Sequence, residues 1–278
     1  NQEWLKKNLI AYLNVDSASS GRNFNVQAVP SLSRLIIQAL REVNDPASGE
    51  PVYNSWKKGP QEKGTIAVAS GSGKVNPIGS GTDDTVFLNH LGAPSLDMNF
   101  SGDYGVYHSM YDNYYWMTHF GDPGMLYTAC LANIWAVMVI DLACDPLLPL
   151  DYEEYAKELE TYLREWSNQY DPKREKSERL FSLILEMKKT ASLINSSIFA
   201  NDETEAIDGE KLLKINRLLM EVERDFTYPQ GIPKRNWFKH LVFGARYTYD
   251  VLLLPALTEA AEAEDGEGVT QALRNLED

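Results

Sequence analysis

Cysteine is nearly absent: Cys130 and Cys144 are the only two. Two cysteines cannot form a disulfide framework. Both sit in one apolar run, and on a helix rising 1.5 Å per residue they would stand about 21 Å apart, too far to bridge. Both read as reduced core residues. Basic charge is in deficit, with 26 Lys and Arg against 40 Asp and Glu, a net charge of -14. Nucleic acid and anionic membrane surfaces need basic patches, so neither is expected as a partner. The surplus acid collects late, over 151–178, 202–210 and 259–267, and reads as solvated helical surface. A long unbroken apolar run is also missing. The nearest approach, 125–150, is interrupted by Asn133, Asp141 and Asp145 and reads as a buried core helix rather than a membrane segment. No signal-peptide pattern opens the chain, which starts directly in NQEWLKK. That start, with its abrupt entry into a strand, reads as a fragment of a longer protein.

The remaining pattern divides near Pro146 and Pro149. Before them, helical and extended segments alternate. Residues 3–7 read as the end of a helix that feeds a strand over 9–15. PSLSRLIIQALREV (30–43) has apolar residues at helical spacing behind a first-turn proline. Residues 44–76 are polar and rich in Gly, Pro and Lys, and read as a long surface loop with a strand or two at most. Within it SGSGK (70–74) lacks the glycine a phosphate loop needs at Val68 and the hydroxyl it needs at Val75. Residues 79–92 read as a loop and then a helix starting near Thr82 or Asp83, stopped by Gly92. Leu96, Met98 and Phe100 alternate with Asp97 and Asn99, which predicts a strand over 94–100. Residues 125–142 are apolar on every side, which predicts a buried helix. After 151 the pattern is helical: stripes such as Leu180, Leu183, Ile184, Met187 and Leu212, Ile215, Leu218, Leu219, Val222 predict antiparallel helices. A Pro- and Gly-bearing connection over 228–244 precedes a weaker helical pair, 255–263 and 269–276. Asn99-Phe-Ser and Asn195-Ser-Ser are glycosylation sequons if the chain is secretory.

Two stretches offer chemistry. DYGVYHSMYDNYY (103–115) sets His108 among tyrosines with Asp103 and Asp112 close in sequence. Imidazole is the commonest neutral metal ligand and an acid or base near pH 7, and a carboxylate could orient its second nitrogen. A satisfied histidine in an aromatic wall is the bland alternative. The second stretch, NLIAYLNVDS (8–17), reads as a buried strand that delivers Asp16 at its carboxyl end. Ligands of open α/β sheets bind there. A helix N-cap would use the same residue type.

Together these residues carry a resemblance. AYLNVDS (11–17), GSGTDDTVFLNHLG (79–92) and SGDYGVYHSMYDNYY (101–115) resemble, in order and approximate spacing, the second half of the zinc peptidase domain of the glutamate carboxypeptidase II and transferrin receptor family. LLPLDYEEYAKEL (147–159) and GIPKRNWFKHLVF (231–243) are similar to its C-terminal helical dimerisation region. The resemblance implies an α/β zinc-exopeptidase-like sheet over 1–148, then an all-α helical bundle dimerisation domain over 149–278. It implies a homodimer, a peptide substrate and two zinc ions bridged by one aspartate. Matched residue by residue, Asp16 is the terminal aspartate on one zinc, His108 the histidine on the other, and Tyr107 the tyrosine that steadies the tetrahedral oxyanion. Ser80, Gly81, Thr82, Asp97, Asn99 and Tyr249 fall at substrate-binding positions. Ions about 3.5–4 Å apart would activate a bridging water, and a phenol would donate where negative charge develops. Asp16 and His108 should then face one cleft, within about 10 Å of each other.

The family's other zinc ligands and its Glu-Glu general-base pair lie upstream of the point matched by Asn1. Glu153-Glu154 belongs to the helical region and does not replace them. One ligand per metal builds neither site, so the chain is expected to be the C-terminal part of an exopeptidase, inactive without the missing N-terminal half of the same protein. The pocket departs from the glutamate-specific members. Their two arginines read Asp97 and Asn99, their asparagine after GSG reads Thr82, and their Lys-Tyr pair reads Thr248-Tyr249. This argues against acidic substrates and for neutral or basic ones. A non-catalytic receptor or sorting adaptor of the same fold is the alternative, and retention of Asp16 and His108 speaks against it. The resemblance also implies a secretory or vacuolar setting, with a membrane anchor outside this chain.

Overall fold

The computed structural model describes residues 1–59, 73–79, 81–199, 208–246 and 250–278. In chain order these form α1 (Gln2–Asn8), β1 (Tyr12–Asn14), β2 (Asn23–Ala28), α2 (Ser33–Glu42), α3 (Val52–Lys58), β3 (Ser95–Ser101), the single turn α4 (Tyr114–Trp116) and α5 (Leu126–Cys144). There follow α6 (Tyr152–Tyr170), α7 (Glu178–Ile194), α8 (Gly209–Asp225), β4 (Phe243–Arg246), β5 (Asp250–Leu253), α9 (Pro255–Glu262) and α10 (Gly266–Glu277). Helix predominates, and two small sheets accompany it.

The first sheet has the order β1-β3-β2, with β1 parallel and β2 antiparallel to β3. Side chains alternate across a strand, so each strand splits its residues between two faces. Leu96, Met98 and Phe100 oppose Ala28, Val26 and Phe24 and make a buried apolar face. Leu35, Ile36, Ala39 and Leu40 of α2 and Ile134 and Met138 of α5 belong to the same core. β2 was not anticipated. Its apolar residues alternate with Asn23, Asn25 and Gln27, and amides are poor strand formers that mute the signal.

Three expectations need correction here. Residues 44–76 are not all loop, because α3 lies within them. Val52 and Trp56, one helical turn apart, are buried, and Gly59 at φ 90° ends the helix. Nor is α5 buried all round. Tyr127, Cys130, Leu131, Ile134 and Met138 point inward, whereas Leu126, Trp135, Val139 and Ile140 are exposed. A helix without a polar side carries no directional signal, and this one packs against α2 and β3 on one side only. Among the described residues, Pro123–Cys144 is the one helix long and apolar enough by length and composition to cross a membrane. Its inward face is nonetheless part of the core. Asp122 holds its start by accepting from the Tyr127 and Thr128 N–H groups at 3.0 and 2.7 Å. Cys130 is buried and its thiol is pushed up to about 12, by burial first and then by Asp45 and Asp122. Cys144 is exposed, contrary to the expectation of two core cysteines.

The helical region begins at Asp151, which caps α6 by accepting from the Glu153 and Glu154 N–H groups. Tyr155, Leu159, Tyr162, Leu163 and Trp166 form its buried stripe, and Leu180, Ile184 and Ala191 of α7 are buried too. Asp151 also reaches back to the first part of the chain. Its N–H donates to the Ser31 carbonyl at 2.8 Å and its carboxylate pairs with Arg34 at 3.1 Å. Burial alone would raise this carboxyl, but hydrogen bonds from Asn195 and the Glu154 N–H, with the Arg34 charge, hold it below its ordinary value. A second tie is fully buried. Glu223 of α8 accepts from Ser31 Oγ at 3.1 Å, Tyr155 OH at 2.9 Å and His240 Nε2 at 3.1 Å. His240 Nδ1 accepts from the Val242 and Phe243 N–H groups, so its proton sits on Nε2 and points at Glu223. The region expected to be all-α also holds a two-stranded sheet, β4 paired antiparallel with β5, and β4 starts inside the stretch read as a connection.

Candidate functional site on the polar face of the first sheet

β1 and β3 run parallel, and Asn14, the last residue of β1, lies opposite Asp97, the third residue of β3, so β1 ends part-way along its neighbour. The face opposite the core is polar. Tyr12 and Asn14 of β1, Ser95, Asp97, Asn99 and Ser101 of β3, and Asn23, Asn25 and Gln27 of β2 share it by register. Asp97 Oδ1 accepts from Asn14 Nδ2 at 3.0 Å and from the Asp16 N–H at 3.2 Å. Tyr12 OH donates to Asn14 Oδ1 at 3.1 Å, and its ring stacks on Phe87 at 3.9 Å. Asn25 Nδ2 donates to Asn99 Oδ1 at 3.1 Å and to Ser101 Oγ at 2.6 Å. Asn25 Oδ1 is buried and has no hydrogen-bond partner among the described residues.

The electrostatics around Asp97 are anionic. The Asp97 carboxyl is raised, by burial first, against the opposing Asp16 N–H bond and with the Asp16 carboxylate adding to the rise. Asp84 begins the helical turn that follows Thr82, is fully buried, and touches the Thr82 hydroxyl. Burial pushes its carboxyl up to about 6, and Asp97 and Asp83 contribute in the same direction. Its Oδ2 has no hydrogen-bond partner among the described residues. The Tyr12 phenol is raised by burial and then by Asp83, Asp84 and Asp97. Neither Asn25 nor Asp84 was singled out from sequence. A lone amide in an unrecognised strand and a lone carboxyl in a turn match no motif.

Asp16 is exposed two residues beyond β1. The chain after it runs along the end of β3: Phe100 N–H donates to Ala18 O at 3.0 Å and Ser20 N–H to Phe100 O at 2.7 Å. A Cβ at Gly21 would lie 2.3 Å from the Gly102 Cα, so only glycine permits this approach. His108 sits in the loop that leaves the same end of β3, at a left-handed φ of 59°. Its ring stacks on Tyr107 at 3.8 Å and is exposed. Asp112, one of the two carboxylates near His108 in sequence, accepts from the Tyr104 hydroxyl. Burial first, and then Asp112, raise the Tyr104 phenol above its ordinary range. Tyr107, Met110, Tyr111, Tyr114, Tyr115 and Phe120 expose an aromatic-rich surface around the histidine. Gly81 takes a φ of 101° ahead of Thr82. Ser80 and Tyr249 lie outside the described residues.

Residues 151–278 match the transferrin receptor-like dimerisation domain family. Over 247 residues, 88% of this chain, the sequence is 34% identical to "Probable glutamate carboxypeptidase LAMP1" of Arabidopsis thaliana. The chain belongs to the glutamate carboxypeptidase and transferrin receptor-like family. A second Arabidopsis relative, "Probable glutamate carboxypeptidase AMP1", is 33% identical over 97% of the chain. "Aminopeptidase NAALADL1" of Rattus norvegicus is 24% identical over 98% of it. The chain spans only 34%, 39% and 38% of the lengths of these relatives.

Whether the family's zinc could be held here is a question of donors. Asp16 and His108 supply one carboxylate and one imidazole. Among the described residues no group of three or more His, Cys, Asp or Glu side chains could hold a metal ion. A structural zinc takes four protein ligands and a catalytic one three. The described residues therefore do not make a zinc site by themselves.

Proposed function

We propose that this chain is the C-terminal part of a co-catalytic two-zinc exopeptidase acting on peptides, built as a peptidase-like part over 1–148 and a helical dimerisation part over 149–278. The observation that carries the reading is the polar face of the first sheet and the loops that leave its parallel strands. Asp16 follows β1 and bonds through its N–H to Asp97 within β3, and the loop of His108 follows the carboxyl end of β3, in a chain 34% identical to a probable glutamate carboxypeptidase. In this reading Asp16 and His108 each complete a ligand set whose other members lie outside the chain. Zinc, when bound, supplies Lewis acidity and a hydroxide near neutral pH. The Tyr107 phenol donates a hydrogen bond to the developing oxyanion. Ser80, Gly81, Thr82, Asp97, Asn99 and Tyr249 line the substrate position. The Asp97 carboxylate repels an acidic side chain and favours a neutral or basic one. By itself the chain retains no zinc and cleaves no peptide.

The test is the polypeptide extended upstream of residue 1. It should bind two zinc ions and release terminal residues from peptides, with basic or neutral ones preferred over glutamate. Asp16→Asn and His108→Ala should each lower kcat/KM by about a hundredfold or more, a loss of about 2.7 kcal/mol in transition-state stabilisation. An extended chain without zinc or hydrolysis would overturn the reading and favour the receptor or adaptor alternative.

A further inference from the structure

The chain carries a net charge of -14, yet four cations gather around one cavity. The cavity, of about 430 Å³, lies between the last turn of α1 and one side of α8. Lys6 and Lys7 come from α1. Arg217, Glu221 and Arg224 come from α8, where spacings of four and three residues put them on one side. The buried residues of that helix, Leu219 and Glu223, lie on the other. Arg224 is built in. Its Nη2 donates to the Leu9 carbonyl at 2.6 Å and its Nη1 to the Met220 carbonyl, which ties α8 to the chain between α1 and β1. Its Nε is buried and has no hydrogen-bond partner among the described residues. Burial pulls the guanidinium below its ordinary pKa, although Tyr152, Glu221 and Glu223 act against it.

The other cations are short of counter-charge. Lys6 pairs with the exposed Glu3 at 3.6 Å. Lys7 and Arg217 enter no ion pair among the described residues. Glu221 is spaced to meet either arginine, and it pairs with neither. Compensation of the α1 dipole explains lysines in its last turn, but not Arg217 or the bare Nε of Arg224. We propose that this cavity binds a compact phosphate-bearing anion from solution, of about the size of pyrophosphate. Four cations against one acid leave a surplus of three positive charges, more than a single carboxylate answers. A phosphate group carries roughly two negative charges near neutral pH and three strong acceptor oxygens, so two joined phosphates match the surplus. Arginine and lysine are the usual donors to such oxygens. The acidity of the whole chain opposes an anionic membrane, which leaves a soluble anion as the occupant. The cavity precedes the amino end of β1, whereas Asp16 follows its carboxyl end, so the proposal stands apart from the peptidase reading.

The experiment uses the full chain, alone and extended upstream of residue 1, freed of metal with an uncharged chelator. Calorimetric titration with inorganic pyrophosphate at physiological ionic strength should give a one-to-one isotherm in both forms. Lys7→Ala and Arg217→Ala, at exposed positions, should each weaken binding at least about fivefold and leave the Tm without pyrophosphate unchanged. Glu221→Gln removes the acid at the cavity and should tighten binding about threefold. Lys173→Ala, exposed in the turn after α6, should change nothing. Absence of a saturable isotherm would overturn the proposal. So would equal weakening by Lys173→Ala, or an affinity indifferent to Glu221→Gln, since either marks diffuse attraction to surface charge. Binding by the shorter form alone would assign the cavity to the upstream polypeptide and overturn it as well.

Discussion

Two buried carboxyls at the residue scale have opposite roles. Asp84 is buried beside other acids, and its carboxyl titrates near 6 in the fold against about 3.9 when unfolded. Between those values the folded state holds a proton that the unfolded state has released. Stability therefore falls as pH rises from about 4 to about 6, by about 3 kcal/mol in all. Asp84→Asn removes that slope. Urea titrations should find the variant more stable than the parent at pH 7 and equal to it at pH 4. Glu223 is the contrasting case, because three donors converge on its carboxylate. Glu223→Leu strands Ser31, Tyr155 and His240 without an acceptor and should cost about 3–5 kcal/mol by urea unfolding. Glu223→Gln keeps one acceptor oxygen and should cost less than half of that.

At the element scale, legibility from sequence followed contrast. β3 was readable because Leu96, Met98 and Phe100 alternate with polar neighbours, and α6 to α8 because their stripes have polar backs. α5 lacked a polar back, so its helical character was plain and its orientation was not. α3 was hidden by the polar, Gly-rich composition around it, although Val52 and Trp56 already stood one turn apart. Asp16, His108 and Tyr107 came from motifs; in the structure Asp16 follows the end of β1 and the loop of His108 follows the end of β3. Asn25 and Asp84 become visible only once β2 and the turn at Thr82 are folded beside them. Gly92 was read as a helix stop, and its φ of 67° agrees. Its surroundings add a constraint that no sequence shows: a Cβ there would lie 2.7 Å from Thr227 Cγ2 and 3.0 Å from the Arg224 Cα. Gly49 has a similar φ of 69° but open space around it. Gly49→Ala should therefore cost about 1 kcal/mol, the backbone contribution alone. Gly92→Ala should cost about 2–4 kcal/mol, the excess arising from displacement of α8. Paired thermal melts measure the difference.

For the whole molecule, the family match over 151–278 suggests self-association through the helical region. Sedimentation equilibrium at tens of micromolar on the upstream-extended chain should give a dimer. A strict monomer would assign the exposed apolar residues of α7 and α8 to another partner. Fold classes that pair distant segments fold slowly, since loop closure precedes the reward. Glu223 presents an extreme of this kind, because its partner Ser31 lies 192 positions away. Its other partners, Tyr155 and His240, come from two further segments. None of the four can leave without exposing the polar groups of the rest, so local opening of the cluster is suppressed. The Val242 and Phe243 amides, held by His240 Nδ1, should consequently exchange with deuterium only when the entire chain unfolds. A protein assembled from two small sheets and a set of helices would then report its global stability through two adjacent peptide protons.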